Sequence, residues 1–224
     1  MSRTVQPPGP VGVFGGTFNP VNYGHLRSAL ELVEGLKLDH LRLMPCSEPP
    51  HRGAPSCPAE HRAAMVELAV AGEAALTCDR RELQRPGPSY TVSSLEEIRE
   101  ELGADRGLCL VMGCDALAGI NTWHRWRELL DLAHIVVIAR PGWDLPEDGV
   151  VARWLRDHRL SGHEELRHLP CGGILLESLR PLAISATEIR DLLAAGRSAR
   201  DLVPEPVLDY IHAHSHYCER KALH

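Results

Sequence analysis

Residues 11–26 constrain the fold more than any other part of this chain. They read Val-Gly-Val-Phe-Gly-Gly-Thr-Phe-Asn-Pro-Val-Asn-Tyr-Gly-His-Leu. Four mostly apolar residues lead into Gly15-Gly16, where missing side chains allow a ligand close to the backbone. Asn19-Pro20 is a turn signal. From Gly24 onward Leu26, Ala29, Leu30, Val33 and Leu36 recur at helical spacing. The stretch therefore reads as strand, loop, helix. A helix start presents free N–H groups and the positive end of the dipole, which favour an anion and above all a phosphate. His25 at that start is either a capping or surface histidine or a phosphate contact. The string is not G-x-G-x-x-G, and no Walker loop occurs in the chain.

The rest of the chain repeats the same alternation. Leu41–Pro45 reads as a second strand, so strand, helix and strand form a βαβ unit with parallel pairing. Residues 46–58 are proline-rich and irregular. Arg52 within them is either a solvated surface charge or a loop residue that reaches a phosphate. Ala59–Val70 reads as a helix with Met65, Leu68 and Ala69 inward, and Ala75–Cys78 as a third strand. Thr91 or Ser93 is expected to cap a helix running to Leu102. Tyr90, at its entrance, is a packing residue or the wall of a ring pocket.

Leu108–Met112 is the most apolar strand. It ends in Gly113-Cys114-Asp115, where Asp115 either caps a helix or faces a ligand. Aromatic residues make up only 4% of the chain, so two tryptophans three positions apart stand out. Trp126, with Leu129 and Leu130 at helical spacing, suits the core. That leaves Trp123 as a stacking surface for a flat heterocycle. His134–Ala139 and Ile174–Glu177 read as fifth and sixth strands, with residues 143–173 an excursion from the core. Histidines 158, 163 and 168 lack the spacing of a helical metal pair and read as solvated. Ser185 or Thr187 caps a helix carried by Ile189, Leu192 and Leu193, with Arg190 one turn in and Gly196 ending it. Pro204 opens a last amphipathic helix expected to pack on the sheet. The polar tail from His214 is expected to fray.

A net charge of −6 makes the chain a poor non-specific binder of nucleic acid, so any polyanion must be met by local groups. Seven cysteines, an odd number without a C-x-x-C pair, point to reduced thiols rather than a disulfide framework or zinc site. The first ten residues lack an apolar signal core and no run reaches membrane-spanning length. A cytoplasmic location without membrane partners is expected. The chain reads as a single α/β domain over 1–224, with a core at 11–212 and C-terminal helices at 185–213.

Three ordered features carry a resemblance. They are Gly15–Leu26 with its late Gly24-His25, the strand followed by Gly113-Cys114-Asp115, and Ile184-Ser185-Ala186-Thr187-Glu188-Ile189-Arg190. The first resembles the G-x-F-x-P-x-H-x-G-H signature of the nucleotidylyltransferase superfamily. The set, with Pro49–Arg52, Pro88–Thr91, Thr122-Trp123 and Arg140-Pro141-Gly142, looks like the bacterial nicotinate-nucleotide adenylyltransferases.

The resemblance implies a Rossmann-like, doubly wound parallel sheet of the nucleotidylyltransferase type. It implies transfer of the adenylyl group of ATP to nicotinate mononucleotide, giving deamido-NAD and pyrophosphate, with Mg²⁺ carried in on ATP. Gly15, Gly16, Thr17 and Phe18 would line the phosphates and His25 would hold them. Ser185 and Arg190 would hold the departing pyrophosphate, and Asp115 would lie on the nucleotide side. Tyr90, Thr91 and Trp123 would form the pyridine pocket, with Arg52 and Arg140 as basic loop positions. Asn22 stands where most bacterial members have a histidine, and Asn19 where many have an aspartate. Asparagine donates a hydrogen bond but is never cationic. Two alternatives therefore stay open: nicotinamide mononucleotide as the preferred acceptor, and a nucleotide-binding homologue whose catalysis Asn22 impairs.

Overall fold

The computed structural model describes residues 8–47, 55–139, 146–180 and 182–218. Its strands are β1 (Val11–Gly16), β2 (His40–Pro45), β3 (Leu76–Cys78), β4 (Leu108–Gly113), β5 (His134–Ala139) and β6 (Ile174–Ser178). They form one six-stranded parallel sheet in the order β3-β2-β1-β4-β5-β6. The order reverses between β1 and β4, the pattern of doubly wound folds. Flanking it are α1 (Tyr23–Leu36), α2 (Ala59–Val70), α3 (Arg81–Gln84), α4 (Thr91–Leu102), α5 (Cys114–Ala118), α6 (Leu129–Leu132), α7 (Gly149–His158), α8 (Glu165–His168), α9 (Ala186–Ala194) and α10 (Glu205–Ala213). All six strands fall on the apolar runs of the sequence. No helix among the described residues is long and apolar enough to cross a membrane.

By contacts the chain separates into two compact units interleaved along the sequence. One draws on Met1–Val13, Leu32–Leu41 and Thr91–Ser178; the other on Phe14–Glu31, Arg42–Tyr90 and Leu179–His224.

In the first unit β4, β5 and β6 pair in parallel register, with Val111 opposite Val136 and Ile135 opposite Ile174. Near-continuous burial of Leu108–Met112 and His134–Val137 is what a sheet covered on both faces requires. Val92, Leu95 and Ile98 form the buried stripe of α4. The excursion is tied down through α7: Trp154 meets Trp126 edge-on, with ring centroids 5.0 Å apart. Trp126, only 7% exposed, is the core tryptophan that the spacing suggested. His134 is fully buried. Its Nδ1 accepts from the Gly173 N–H at 3.1 Å and its Nε2 donates to the Leu169 carbonyl at 2.9 Å, the pattern of a neutral ring. Burial lowers its pKa accordingly.

In the second unit, three expectations need correcting. Leu68 is 37% exposed rather than inward; the buried side of α2 is Arg62, Ala63, Met65, Val66 and Val70. The last helix, α10, packs against α2 rather than lying on the sheet. Val207, Leu208 and Ile211 are buried, and the Tyr210 hydroxyl shares a 2.8 Å hydrogen bond with His61 Nδ1. Residues 214–218, after α10, are folded rather than frayed, and the remainder of the tail lies outside the described residues. His214 stacks on Tyr210 at 4.0 Å between centroids, His216 lies against His61 at 4.3 Å, and the Tyr217 hydroxyl donates to Asn19 Oδ1 at 2.7 Å. Rings that look merely polar in sequence pack on one another here, with His216 Nε2 buried and without a hydrogen-bond partner among the described residues.

Candidate active site

The start of α1 is built by a reciprocal pair. Asn22 is the residue before the first helical turn and is 1% exposed. Its Oδ1 accepts from the His25 N–H at 3.2 Å, while its own N–H donates to His25 Nδ1 at 3.2 Å. This is a capping box with histidine in the place usually held by Glu or Gln. An Nδ1 that accepts must carry a lone pair, so the ring is neutral and its proton sits on Nε2. The ring keeps partial exposure, yet it packs edge-on against Phe18 at 5.2 Å and near Phe14 at 6.4 Å. That apolar wall lowers its pKa from 6.5 to about 4. His25 is therefore a cap and a neutral Nε2–H donor at once. Asn22 Nδ2 is buried without a hydrogen-bond partner.

The loop from β1 approaches this helix start through Thr17–Pro20. Phe18 is buried and adopts φ 46°, the left-handed region. A Cβ on Gly16 would lie 2.8 Å from the Phe18 ring, so glycine there makes room for the turn. Asn19 is the knot of the loop. Its carbonyl accepts from Arg190 Nη1 at 2.8 Å, its Oδ1 accepts from Tyr217, and its Nδ2 donates to Ser56 Oγ at 3.2 Å.

The second helix start, that of α9, belongs to the same unit. Ser185 is its N-cap, with Oγ accepting from the Thr187 N–H at 3.2 Å. Arg190, one turn in, also donates from Nη2 to Thr187 Oγ1 at 3.0 Å. The helix ends in a Schellman turn at Gly196, φ 66°, with the Arg197 N–H on the Leu192 carbonyl and the Gly196 N–H on that of Leu193. The two helix starts are neighbours. A Cβ on Gly24 would stand 3.0 Å from Asn22 Oδ1 and 3.4 Å from the Ile184 carbonyl, which explains glycine at that position. Gly15, Gly16, Thr17, Phe18, Asn22, His25, Ser185 and Arg190 thus fall in one unit around two helix starts and one glycine turn. That arrangement offers backbone N–H groups, one imidazole N–H and one guanidinium, the equipment for an anion.

The remaining predicted positions are placed separately. Asp115 is exposed and second in α5, whose cap is Gly113, so it does not cap that helix. Thr91 is the first residue of α4 rather than its cap, with half-buried Tyr90 just before it. Trp123 is half-buried at the end of the turn Ile120–Thr122. Arg52 and Arg140 lie outside the described residues. Among the described residues no three His, Cys, Asp or Glu side chains are gathered to hold a metal ion.

Sequence reasoning missed Tyr217 and above all Arg62, and it read Asn19 only as a turn residue and a departure from the family. Of the two that were missed, Arg62 left a signal: an arginine one turn before Met65 and Val66, on the apolar stripe of its helix.

Comparisons with known proteins agree with one another. A cytidylyltransferase-like family model matches residues 13–192. A Cellvibrio japonicus protein named "Probable nicotinate-nucleotide adenylyltransferase" is 50% identical over 201 residues, covering 90% of this chain and 95% of its own. A Pseudomonas aeruginosa protein of the same name is 51% identical over 207 residues, covering 92% and 96%. Among solved structures, Plasmodium falciparum nicotinic acid mononucleotide adenylyltransferase complexed with NaAD superposes with a TM-score of 0.68. It is 16% identical and covers 93% of this chain and 97% of its own, a likeness of fold.

Proposed function

The chain belongs to the cytidylyltransferase-like family, among the nicotinate-nucleotide adenylyltransferases, and from that premise we propose that it joins nicotinate mononucleotide to ATP, releasing pyrophosphate and forming deamido-NAD. The observation that carries the reading is the meeting of the α1 and α9 starts, with His25 in one, Arg190 in the other and Asn19 between them.

The attacking group is a phosphate oxygen of the mononucleotide. It forms a bond to the α-phosphorus of ATP as the bond from that phosphorus to the bridging oxygen breaks and pyrophosphate leaves. The nucleophile is already anionic, so no general base is required. The work is to hold two anions in line and stabilise the charge moving onto the leaving group. His25 would give an Nε2–H to the triphosphate as a neutral donor. Arg190 and the α9 start with Ser185 would take the pyrophosphate, and the backbone of Gly15–Phe18 would line it. Mg²⁺ is proposed to arrive with ATP and to supply neutralising charge. Asp115 on the nucleotide side, and Tyr90, Thr91, Trp123, Arg52 and Arg140 at the acceptor, are proposed from the family resemblance. The half-buried Trp123 ring suits stacking on a pyridine. A cytoplasmic place fits a chain whose seven cysteines are all free thiols.

Pyrophosphate release from MgATP and nicotinate mononucleotide tests the reading; pure, folded protein that releases none refutes it. The same assay with nicotinamide mononucleotide decides between acid and amide.

A further inference from the structure

Arg62 is 0% exposed, and among the described residues its guanidinium hydrogen-bonds to carbonyls and a thiol. Nε donates to the Cys57 carbonyl at 3.1 Å, Nη1 to the Thr17 carbonyl at 2.6 Å and, weakly, to Cys46 Sγ at 3.9 Å. Nη2 donates to the carbonyls of Cys46 at 2.7 Å and Ser47 at 2.8 Å. Among the described residues no carboxylate pairs with it. A buried cation held, among the described residues, by neutral dipoles is an expensive feature, poorly explained by stability.

Its geometry has a consequence for the first loop. Carbonyl and N–H point oppositely across a planar trans peptide. With the Thr17 carbonyl drawn onto Arg62, the Phe18 N–H of the same peptide is turned the other way. That N–H has no hydrogen-bond partner among the described residues, and Phe18 holds a left-handed φ of 46°. The same clamp fixes Cys46, whose N–H donates to the Gly16 carbonyl at 3.0 Å, so both sides of the glycine turn are tied to one guanidinium.

We infer that Arg62 is a positioning residue for the triphosphate: it clamps the Thr17 carbonyl inward so that the Phe18 N–H is presented to the phosphates, and it sets a permanent positive charge beneath the loop. This rests on the functional reading above. The charge adds attraction for an anion without touching it, and the fork geometry is one that lysine, a compact point charge, does not reproduce.

The test is calorimetric binding of MgATP to wild type, Arg62→Lys and Arg62→Met, under conditions where urea curves show each fully folded. The KM for nicotinate mononucleotide is read alongside. Loss of one oriented donor and a nearby charge should weaken MgATP about tenfold or more in Arg62→Met. Arg62→Lys should fall between it and wild type, with the mononucleotide KM held within about twofold. A merely structural role lowers stability and leaves the affinity of the folded fraction alone. Unchanged MgATP affinity in both variants, equal losses for both substrates, or failure of both variants to fold would overturn the inference while the reaction itself stands. Wild type that binds no MgATP would overturn the functional reading and this inference together.

Discussion

Replacing His25 with glutamine isolates the proton that the fold denies this ring. Glutamine is the usual partner in a capping box, so its side-chain oxygen can still accept the Asn22 N–H that His25 Nδ1 accepts at 3.2 Å. The cap survives and the titration disappears. In the unfolded chain the imidazole has its ordinary pKa of 6.5; in the folded protein it falls to about 4 because burial against Phe14 and Phe18 penalises the charged form. Between those values the unfolded chain binds a proton that the folded one refuses. Stability is therefore full above pH 6.5 and is lost as pH falls toward 4. At about 1.4 kcal/mol per pH unit the whole gap corresponds to ~3 kcal/mol. Partial exposure of the ring brings the expected loss nearer ~2 kcal/mol. Burial also lowers the pKa of His134 and His216, with the same sign, so the quantity to follow is wild type minus variant. Urea unfolding at intervals from about pH 7.5 to about pH 4 measures it. The difference should be flat above pH 6.5 and decline by ~2 kcal/mol below. Parallel curves would mean that His25 is as free to protonate in the fold as outside it. The neutral Nε2–H donor would then be wrong.

Arg190→Ala should lower turnover at least about tenfold, or 1.4 kcal/mol in the barrier; near-normal pyrophosphate release would remove Arg190 from the site. Tyr217→Phe deletes the 2.7 Å bond to Asn19 Oδ1 and should cost about 1 kcal/mol in urea unfolding. No change would show the Tyr217 contact to be idle. Gly24→Ala should not bring the ~1 kcal/mol that alanine ordinarily adds to a helix. The new Cβ meets Asn22 Oδ1 at 3.0 Å and the Ile184 carbonyl at 3.4 Å. A more stable variant would contradict the close approach of the two helix starts.

The six strands and the helices α1, α2, α4, α9 and α10 were legible because each carries its own period and punctuation, whereas the single-turn helices α3 and α8 are too short to carry one. Val11–Gly16, His134–Ala139 and the Ser185 and Gly196 ends of α9 can all be read locally. What could not be read was the partner of a polar side chain. His214, His216 and Tyr217 look like solvated tail residues until α10 has folded back on α2 and supplied Tyr210 and His61. Leu68 fits the apolar period of α2, but the side it occupies is decided by Arg62, whose hydrogen bonds are made to carbonyls distant in sequence. Asn22 was legible as a departure from the family motif, but its cap appears only once the His25 N–H is placed.

That cap changes how the departure is understood. Asparagine is among the best residues at a helix N-cap, and here its Oδ1 is committed to that role. The side chain at position 22 is uncharged by chemistry, and the one at position 25 is neutral through burial. Neither end of the capping box then contributes a cation at neutral pH. On the proposed reading the attraction for a triphosphate comes from helix dipoles, backbone N–H groups and guanidinium charge, with the metal proposed to arrive with ATP. None of those sources titrates near neutrality. On the proposed reading the pH dependence of binding then comes from the ligand's own phosphates, and a neutral His25 can do what a cation does poorly: accept one hydrogen bond from the helix cap while donating another to the ligand.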